Sequence, residues 1–297
     1  MYDCIIIGSG PAGMTAALYM CRENYKIALI TGTEIFGSLG KISCIENFPG
    51  IESIQGYNLA LKMYEQLDKF ENLTKHEFLN AVSFEKRNNE FFVELSDGYV
   101  INGKSLIISV GGKHKTLGLK NEEKYFGKGI SFCATCDGPF YKNKNVAIIG
   151  GGNSAMDFAL SLSKYCKNID IIHRRNEFRA DITMINKVSK LKNVNFILNS
   201  NAIDILTDKN SKFNGLKIKN NDNNSIKTLN YDGCFYALGF EKNEINEKNA
   251  ENNKHENIFY AGDCIDEKYK QVITACGDGC KAALDCILYL KNKNINI

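Results

Sequence analysis

The sequence lacks a long apolar run, a strong charge of either sign and a histidine cluster, and each absence excludes a class of protein. Nowhere do about 18 apolar residues follow one another, so we expect no membrane-spanning helix. The net charge of +3 over 297 residues argues against nucleic acid or an anionic membrane as partner. The four histidines are isolated, and tryptophan is absent. The opening MYDCIIIGSG lacks the basic segment and apolar stretch of a signal peptide, so we expect a cytoplasmic protein.

The cysteines also lack the pattern of a secreted disulfide framework. There are 11, an odd number, scattered along the chain, whereas secreted frameworks are short, dense and even in number. Only Cys133 and Cys136 have C-x-x-C spacing. The other nine are expected to be reduced core residues: Cys4, Cys21, Cys44, Cys166, Cys234, Cys264, Cys276, Cys280 and Cys286.

The first 20 or so residues have the pattern of a dinucleotide-binding turn. The run Ile5–Ile7 predicts a buried strand, and a helical pattern follows the sequence GSGPAG. Gly8 permits a tight bend, Gly10 lets a pyrophosphate approach the backbone, and Gly13 lets helix and strand pack closely. The pyrophosphate would lie on the N–H groups at the start of the helix, where Ala12 is also expected to contact it.

A second strand and an acid complete this unit. The strand is expected at Lys26–Thr31, and Glu34 lies 21 residues beyond Gly13 (34 − 13). A carboxylate near this position accepts hydrogen bonds from ribose hydroxyls. Glycine-rich turns also arise by chance, and Glu34 is alternatively an ordinary loop carboxylate. The order of strand, glycines, helix, strand and acid favours a dinucleotide, and an acid suits a bound FAD.

The same pattern recurs 142 residues later (150 − 8). The run Val146–Ile149 predicts a strand, and a glycine-rich turn and a helix follow it, with alanine as an accepted third residue of the turn. The residues of this turn that we expect to bind a second dinucleotide are Gly150, Gly152, Asn153, Ser154 and Ala155.

The second unit carries basic residues where the first carries its acid. Arg174 lies 19 residues past Ala155 (174 − 155), where a site for NADH would have Asp or Glu. Together with His173, the guanidinium groups of Arg174, Arg175 and Arg179 would bind a 2′-phosphate through charge-assisted hydrogen bonds. A solvated basic turn explains the charges but not their placement. We therefore expect NADPH here, and a bound FAD with a diffusing NADPH indicates a flavin reductase.

The C-x-x-C pair has three readings. A structural zinc site needs four ligands, and the sequence offers no second C-x-x-C or C-x-x-H. A structural disulfide is disfavoured by a reducing compartment and by the very short loop. A redox-active dithiol fits best, with one thiolate facing the flavin and the other the substrate disulfide. Asp137 either handles the proton of this exchange, if its pKa is raised, or is a turn carboxylate before Gly138.

The motifs that carry a family resemblance are GSGPAG, ENFPG (46–50), CATCDG (133–138), GGGNSA (150–155), HRRNEFRA (173–180) and residues 261–285. In this order they resemble the low-molecular-weight bacterial NADPH-dependent thioredoxin reductases over nearly the whole chain. The resemblance implies an α/β fold with two Rossmann-like dinucleotide-binding domains, the FAD/NAD(P)-binding disulfide reductase fold. It implies an FAD domain formed by 1–113 and 241–297, an inserted NADPH domain at 114–240, and a homodimer.

The resemblance also assigns residues to the flavin. It implies that Gly262 and Asp263 meet the ribityl chain and the pyrophosphate. Gln271 and Val272, at the start of a helix, would border the isoalloxazine ring, and Asn47 would lie near it. These five positions are expectations from the family pattern alone.

For the dithiol, the resemblance implies a division of labour. Cys136 matches the flavin-facing sulfur, Cys133 the sulfur that attacks thioredoxin, and Asp137 the proton donor. It further implies a large rotation of the small domain between half-reactions. Glycines at 111–112 and at Gly239 suit hinges there, although turns at strand ends explain them equally.

Five residues depart from the family pattern: Ser38, Val110, Phe158, Lys270 and Pro139. The first four affect the expected flavin or nicotinamide geometry. Pro139 interrupts the paired aromatics at the expected partner platform, which leaves the partner open. The alternatives are a glutaredoxin-like protein or a peroxiredoxin system as acceptor, ferredoxin as electron donor, and a redox-sensing binding module without catalysis.

Overall fold

A computed structural model describes residues 1–42, 44–248, 255–266 and 269–295. Residues 267 and 268 of the 261–285 motif therefore lie outside the described residues. The chain divides into two compact units. Unit 1 consists of Met1–Lys113 and Lys242–Ile297, and unit 2 of His114–Glu241. No helix within the described ranges is long and apolar enough to cross a membrane.

The helices are α1 Pro11–Arg22, α2 Gly56–Glu65, α3 Ala134–Asp137, α4 Asn153–Leu162, α5 Ile182–Val188 and α6 Val272–Ile295. The strands are β1 Cys4–Ile7, β2 Ile27–Gly32, β3 Leu73–Glu77, β4 Ala81–Arg87, β5 Glu90–Leu95, β6 Val100–Gly103, β7 Leu106–Ile108, β8 Gly112–His114, β9 Ile130–Ser131, β10 Asn145–Ile149, β11 Asn168–Ile172, β12 Val194–Ile197, β13 Ser200–Thr207, β14 Phe213–Asn220, β15 Ile226–Asn230, β16 Gly233–Tyr236, β17 Phe240–Lys242, β18 Asn246–Glu247 and β19 Ile258–Tyr260.

Unit 1 is built on a parallel sheet in the order β19-β7-β1-β2-β3. The central strand β1 is apolar along its whole length because both faces are covered. Helices α1, α2 and α6 pack on one face. The second sheet, in which β4, β5 and β6 pair antiparallel, supplies Phe84, Phe91 and Val93 to the other face.

Unit 2 repeats this plan around the order β12-β11-β10-β16-β9, again all parallel. Helices α4 and α5 cover one face, and the antiparallel sheet of β13, β14 and β15 covers the other. In each unit the first strand of the nucleotide motif, β1 or β10, is central, with its next strand on one side and a later strand on the other. Ligands bind at the carboxyl end of such a strand, where the strand order reverses.

Candidate active site

The redox pair lies at the start of α3, directly after β9. Cys133 and Cys136 form a disulfide with their Cα atoms 5.4 Å apart. The Cys133 N–H donates to Ser131 Oγ at 3.0 Å, and the Cys136 N–H donates to Cys133 Sγ at 3.1 Å. Both cysteines are half-buried. A short helical turn thus fixes the sulfurs at a place that solvent still reaches.

Asp137 follows the pair and closes the same turn. Its N–H donates to the Cys133 carbonyl at 3.1 Å. Burial raises the pKa of the Asp137 carboxyl above its usual value, and a hydrogen bond with Ser131 opposes the rise. A carboxyl with a raised pKa holds a proton closer to neutral pH, as a proton donor beside a dithiol requires.

The first glycine turn leaves space only where a ligand is expected. Gly8 has φ of +102°, and a Cβ on it or on Gly13 would overlap with backbone carbonyl oxygens. A Cβ on Gly10, in contrast, would meet no atom within 4 Å. The helix α1 begins at Pro11, directly after Gly10. The free N–H groups in the first turn of a helix point out of its N-terminus. The turn therefore fits a dinucleotide pyrophosphate.

The motif at 261–266 returns to this turn from the far end of the chain. A Cβ on Gly262 would lie 2.9 Å from the Cβ of Ala12. Burial raises the pKa of Asp263 to about 6. The positive charge of Lys270 opposes this rise, and the negative charges of Asp266 and Asp278 add to it. The chain thus brings a half-buried carboxyl to the glycine turn, where hydroxyl groups of a ligand can donate to it.

Two further predicted flavin residues meet, although they are far apart in sequence. Asn47 Nδ2 donates to Gln271 Oε1 at 3.2 Å. Gln271 is held by Thr274, whose Oγ1 accepts the Gln271 N–H at 3.1 Å, and α6 begins at Val272. Glu34 lies exposed after β2 and forms an ion pair with Lys41 at 2.7 Å. Because an exposed ion pair contributes little to stability, Glu34 can release Lys41 and accept a hydrogen bond from a ribose hydroxyl at a small cost in free energy.

The second glycine turn has the same design. A Cβ on Gly150 would lie 2.5 Å from the carbonyl oxygen of Ala237, whereas a Cβ on Gly152 would meet nothing within 4 Å. Ala155 is fully buried under the turn. Asn153 and Ser154 are exposed at the start of α4, and Asn153 exchanges hydrogen bonds with Asp181. This turn also fits a dinucleotide.

The basic residues at the end of β11 divide into two groups. Arg174, Arg175 and Arg179 are exposed, and repulsion from Arg179 and Arg174, with a contribution from burial, lowers the pKa of Arg175. Within the described ranges no carboxylate forms an ion pair with any of the three. Such a concentration of unpaired guanidinium groups fits a phosphate.

His173 lies elsewhere. It is buried, its Nε2 lies 3.1 Å from the Glu177 carbonyl oxygen, and its ring stacks on Phe178. A Cβ on Gly151 would overlap with the imidazole. The ring therefore packs against the glycine turn and, unlike the three arginines, is not exposed to solvent.

Sequence reasoning missed the part that Ser109 plays. Its hydroxyl can donate to the Ile7 carbonyl oxygen at 2.9 Å or to the Gly8 carbonyl oxygen at 3.0 Å. A Cβ on Gly8 or Gly13 would crowd this same serine. A small polar residue at the end of β7, the strand beside β1, is the signal that points to it.

Comparison with known proteins identifies the family of the chain. Residues 2–279 match the family described as pyridine nucleotide-disulphide oxidoreductase. The chain is 40% identical to the thioredoxin reductase of Buchnera aphidicola, covering 97% of each chain. It is 38% identical to the glucosaminate ammonia-lyase of Pseudomonas fluorescens, covering 96% of this chain and 95% of that protein. The crystal structure of thioredoxin reductase from Streptococcus pyogenes superposes on this chain with a TM-score of 0.89 at 32% identity. The match covers 98% of this chain and 99% of that one.

The chain therefore belongs to the pyridine nucleotide-disulphide oxidoreductases and, among them, to the thioredoxin reductase family. It is a flavoprotein oxidoreductase with FAD and NADPH as cofactors, as the sequence predicts. The predicted α/β fold is confirmed.

Proposed function

We propose that this protein reduces oxidised thioredoxin with electrons from NADPH, passed through FAD and the Cys133–Cys136 disulfide. One observation carries the proposal: a half-buried disulfide lies in the unit that also holds the second glycine turn and the arginine cluster. When bound, FAD accepts a hydride from NADPH and delivers two electrons to the disulfide. This reaction requires a reducing compartment, which we infer to be the cytoplasm.

The two glycine turns bind the two dinucleotides. Unit 1 is the FAD domain and the inserted unit 2 the NADPH domain. The FAD ligands are Gly8, Gly10, Ala12, Gly13, Glu34, Asn47, Gly262, Asp263, Gln271 and Val272. The NADPH ligands are Gly150, Gly152, Asn153, Ser154, Ala155, Arg174, Arg175 and Arg179, with His173 holding the turn in shape. The space left at Gly10 and Gly152 supports these assignments.

The reduced dithiol transfers its electrons by thiol–disulfide exchange. The Cys133 thiolate attacks one sulfur of the acceptor disulfide, and the acceptor thiolate that leaves takes a proton from Asp137. The Cys136 thiolate then attacks Cys133 Sγ, which restores the intramolecular disulfide and releases the second acceptor thiolate. The raised pKa of Asp137 supports its part.

Two features of the whole assembly are also proposals. The family resemblance supports a homodimer. It also supports a change in the relative orientation of the two units between half-reactions, since the chain passes between them only twice.

The test is an assay of NADPH oxidation by the FAD-loaded protein with oxidised thioredoxin, followed by flavin absorbance. We expect the wild type to turn over with NADPH in preference to NADH. Cys136→Ser should retain bleaching of the flavin by NADPH but lose thioredoxin reduction, because no disulfide can accept the electrons. The control is Cys44→Ser, which changes a half-buried thiol of unit 1 outside the redox pair. Cys234 is not suitable as a control because it is fully buried.

Three outcomes would contradict the proposal. Thioredoxin reduction by Cys136→Ser at the wild-type rate would exclude the dithiol route. A wild type whose flavin is not bleached by NADPH but is reduced by ferredoxin would exclude NADPH as the donor. Ammonia release from glucosaminate without thioredoxin reduction would place the chain with its lyase-named relative, although such an elimination has no need of a redox disulfide.

A further inference from the structure

The surface that follows the redox pair is formed by two neighbouring segments of unit 2. The chain leaves Asp137 through a helical turn at Gly138–Tyr141 and continues along 142–144. The Asn143 N–H donates to the Tyr165 carbonyl, and the Lys167 N–H donates to the Lys144 carbonyl, both at 2.8 Å. These bonds hold 142–144 beside 164–167. We call Lys142, Lys144, Lys164, Tyr165 and Lys167 the lysine face.

The charge of the lysine face is not neutralised. All four lysines are exposed, and in the described part of the chain none of them forms an ion pair. Carboxylates near the face are Asp232, which accepts the Asn145 N–H at 2.9 Å, and Asp137, which ends α3 directly before the turn at Gly138–Tyr141. Lys217 elsewhere in the same unit, by comparison, pairs with Asp204 at 3.2 Å. Four lysines against these two carboxylates leave a net positive surface.

The lysine face is continuous with the redox centre. A Cβ on Gly138 would lie 3.5 Å from Tyr165 Cδ2, so the residue after Asp137 packs against this tyrosine. Phe140, two residues further on, is 42% exposed, and Tyr165 is 37% exposed. In sequence, Lys142 follows Phe140, and Tyr165 lies between Lys164 and Lys167, so each exposed ring has lysines close to it along the chain. An exposed aromatic anchor with a polar rim is a typical arrangement for protein docking.

We propose that the lysine face docks the acceptor protein, and that it recognises Asp and Glu side chains bordering the acceptor disulfide. Complementary charge at the rim of an interface raises the rate of encounter more than the strength of the final complex. The proposal rests on the proposed function, since it concerns the partner of the same dithiol. It assigns specificity to lysines that handle neither electrons nor protons.

The test compares two double variants, Lys142→Gln/Lys144→Gln and Lys164→Gln/Lys167→Gln, using oxidised thioredoxin as acceptor. The matched control is Lys209→Gln/Lys212→Gln, which removes the same charge from the exposed turn between β13 and β14. At low ionic strength, near 0.01 M, where the Debye length is about 30 Å, we expect each face variant to lose about tenfold in kcat/KM. The loss should be in KM, and flavin bleaching by NADPH should be unchanged.

Two further readouts make the result specific. At about 0.15 M salt, where the Debye length is about 8 Å, the variants and the wild type should converge. A thioredoxin whose acidic residues beside the disulfide are changed to amides should make the wild type as slow as the variants. If the wild type is active and the face variants have the same kcat/KM as the control variant, the inference about the lysine face is wrong and the proposed function is unaffected. A wild type that leaves oxidised thioredoxin unreduced would overturn the proposed function and this inference with it.

Discussion

At the scale of single residues, Asp263 is a carboxyl group that the fold prevents from ionising readily. Burial is the main cause, and nearby Asp266 and Asp278 add to it, so that the pKa is raised to about 6 from 3.8. Because the folded-state pKa is above the unfolded one, the protonated carboxyl is the form that the fold favours. Its contribution to stability is complete below pH 3.8 and is lost as the pH rises through about 6.

The prediction from this shift concerns Asp263→Asn in the FAD-free chain. At pH 7 the variant should be more stable than the wild type by about 2 kcal/mol, since the amide avoids the cost of a buried charge. Near pH 4 the two should be equal. Thermal unfolding followed across this pH range checks it. A difference that does not change with pH would show that Asp263 is not the titrating group. FAD affinity should fall in the same variant if Asp263 contacts the cofactor.

At the scale of helices and strands, local patterns predicted the nucleotide motifs well. The strand expected at Lys26–Thr31 is Ile27–Gly32, and the one expected at Val146–Ile149 is Asn145–Ile149. Runs of β-branched residues before glycine turns predict such strands from the local sequence alone. Local patterns do not reveal the pairing of Asn47 with Gln271, 224 residues apart, because only the closed fold brings them together. The family resemblance implies that both lie near the flavin ring, but not that they bond each other.

The two antiparallel sheets were not predicted either. Strands β4–β6 and β13–β15 are partly exposed, and their mixed polarity lacks the continuous apolar run that marks β1 and β10 in the sequence. His173 shows the same limit at one position. Its place in a basic run predicts an outward ligand, but packing against Gly151 buries it.

Helix α6 offers an element-scale prediction from two glycines one half-turn apart. A Cβ on Gly277 would meet nothing within 4 Å, whereas one on Gly279 would overlap with the Ala12 carbonyl, where α6 packs against α1. Gly277→Ala should therefore stabilise the protein by about 0.5–1 kcal/mol, since alanine favours a helix. Gly279→Ala should destabilise it by about 1–3 kcal/mol through overpacking. Denaturant unfolding of both variants is the measurement, and shifts of the same sign would contradict the close packing of α1 on α6.

At the scale of the whole molecule, the proposed reorientation of the units must be absorbed where the chain passes between them. Gly111 lies at one crossing with φ of +60°, and a Cβ there would meet no atom. Gly118, inside unit 2, has φ of +72° and equally open surroundings. Alanine costs roughly 1–2 kcal/mol in this left-handed region, so both substitutions impose the same local strain.

Only one of the two substitutions restricts a crossing. Gly111→Ala should therefore slow steady-state thioredoxin reduction, by roughly fivefold to tenfold if about 1–1.4 kcal/mol of strain falls on the moving step. Gly118→Ala should turn over like the wild type. Flavin absorbance of the purified proteins should show unchanged FAD content in both variants. Equal rates for the two variants would mean that the backbone at Gly111 keeps one conformation throughout the reaction, and the reorientation would then have to be sought at Gly239.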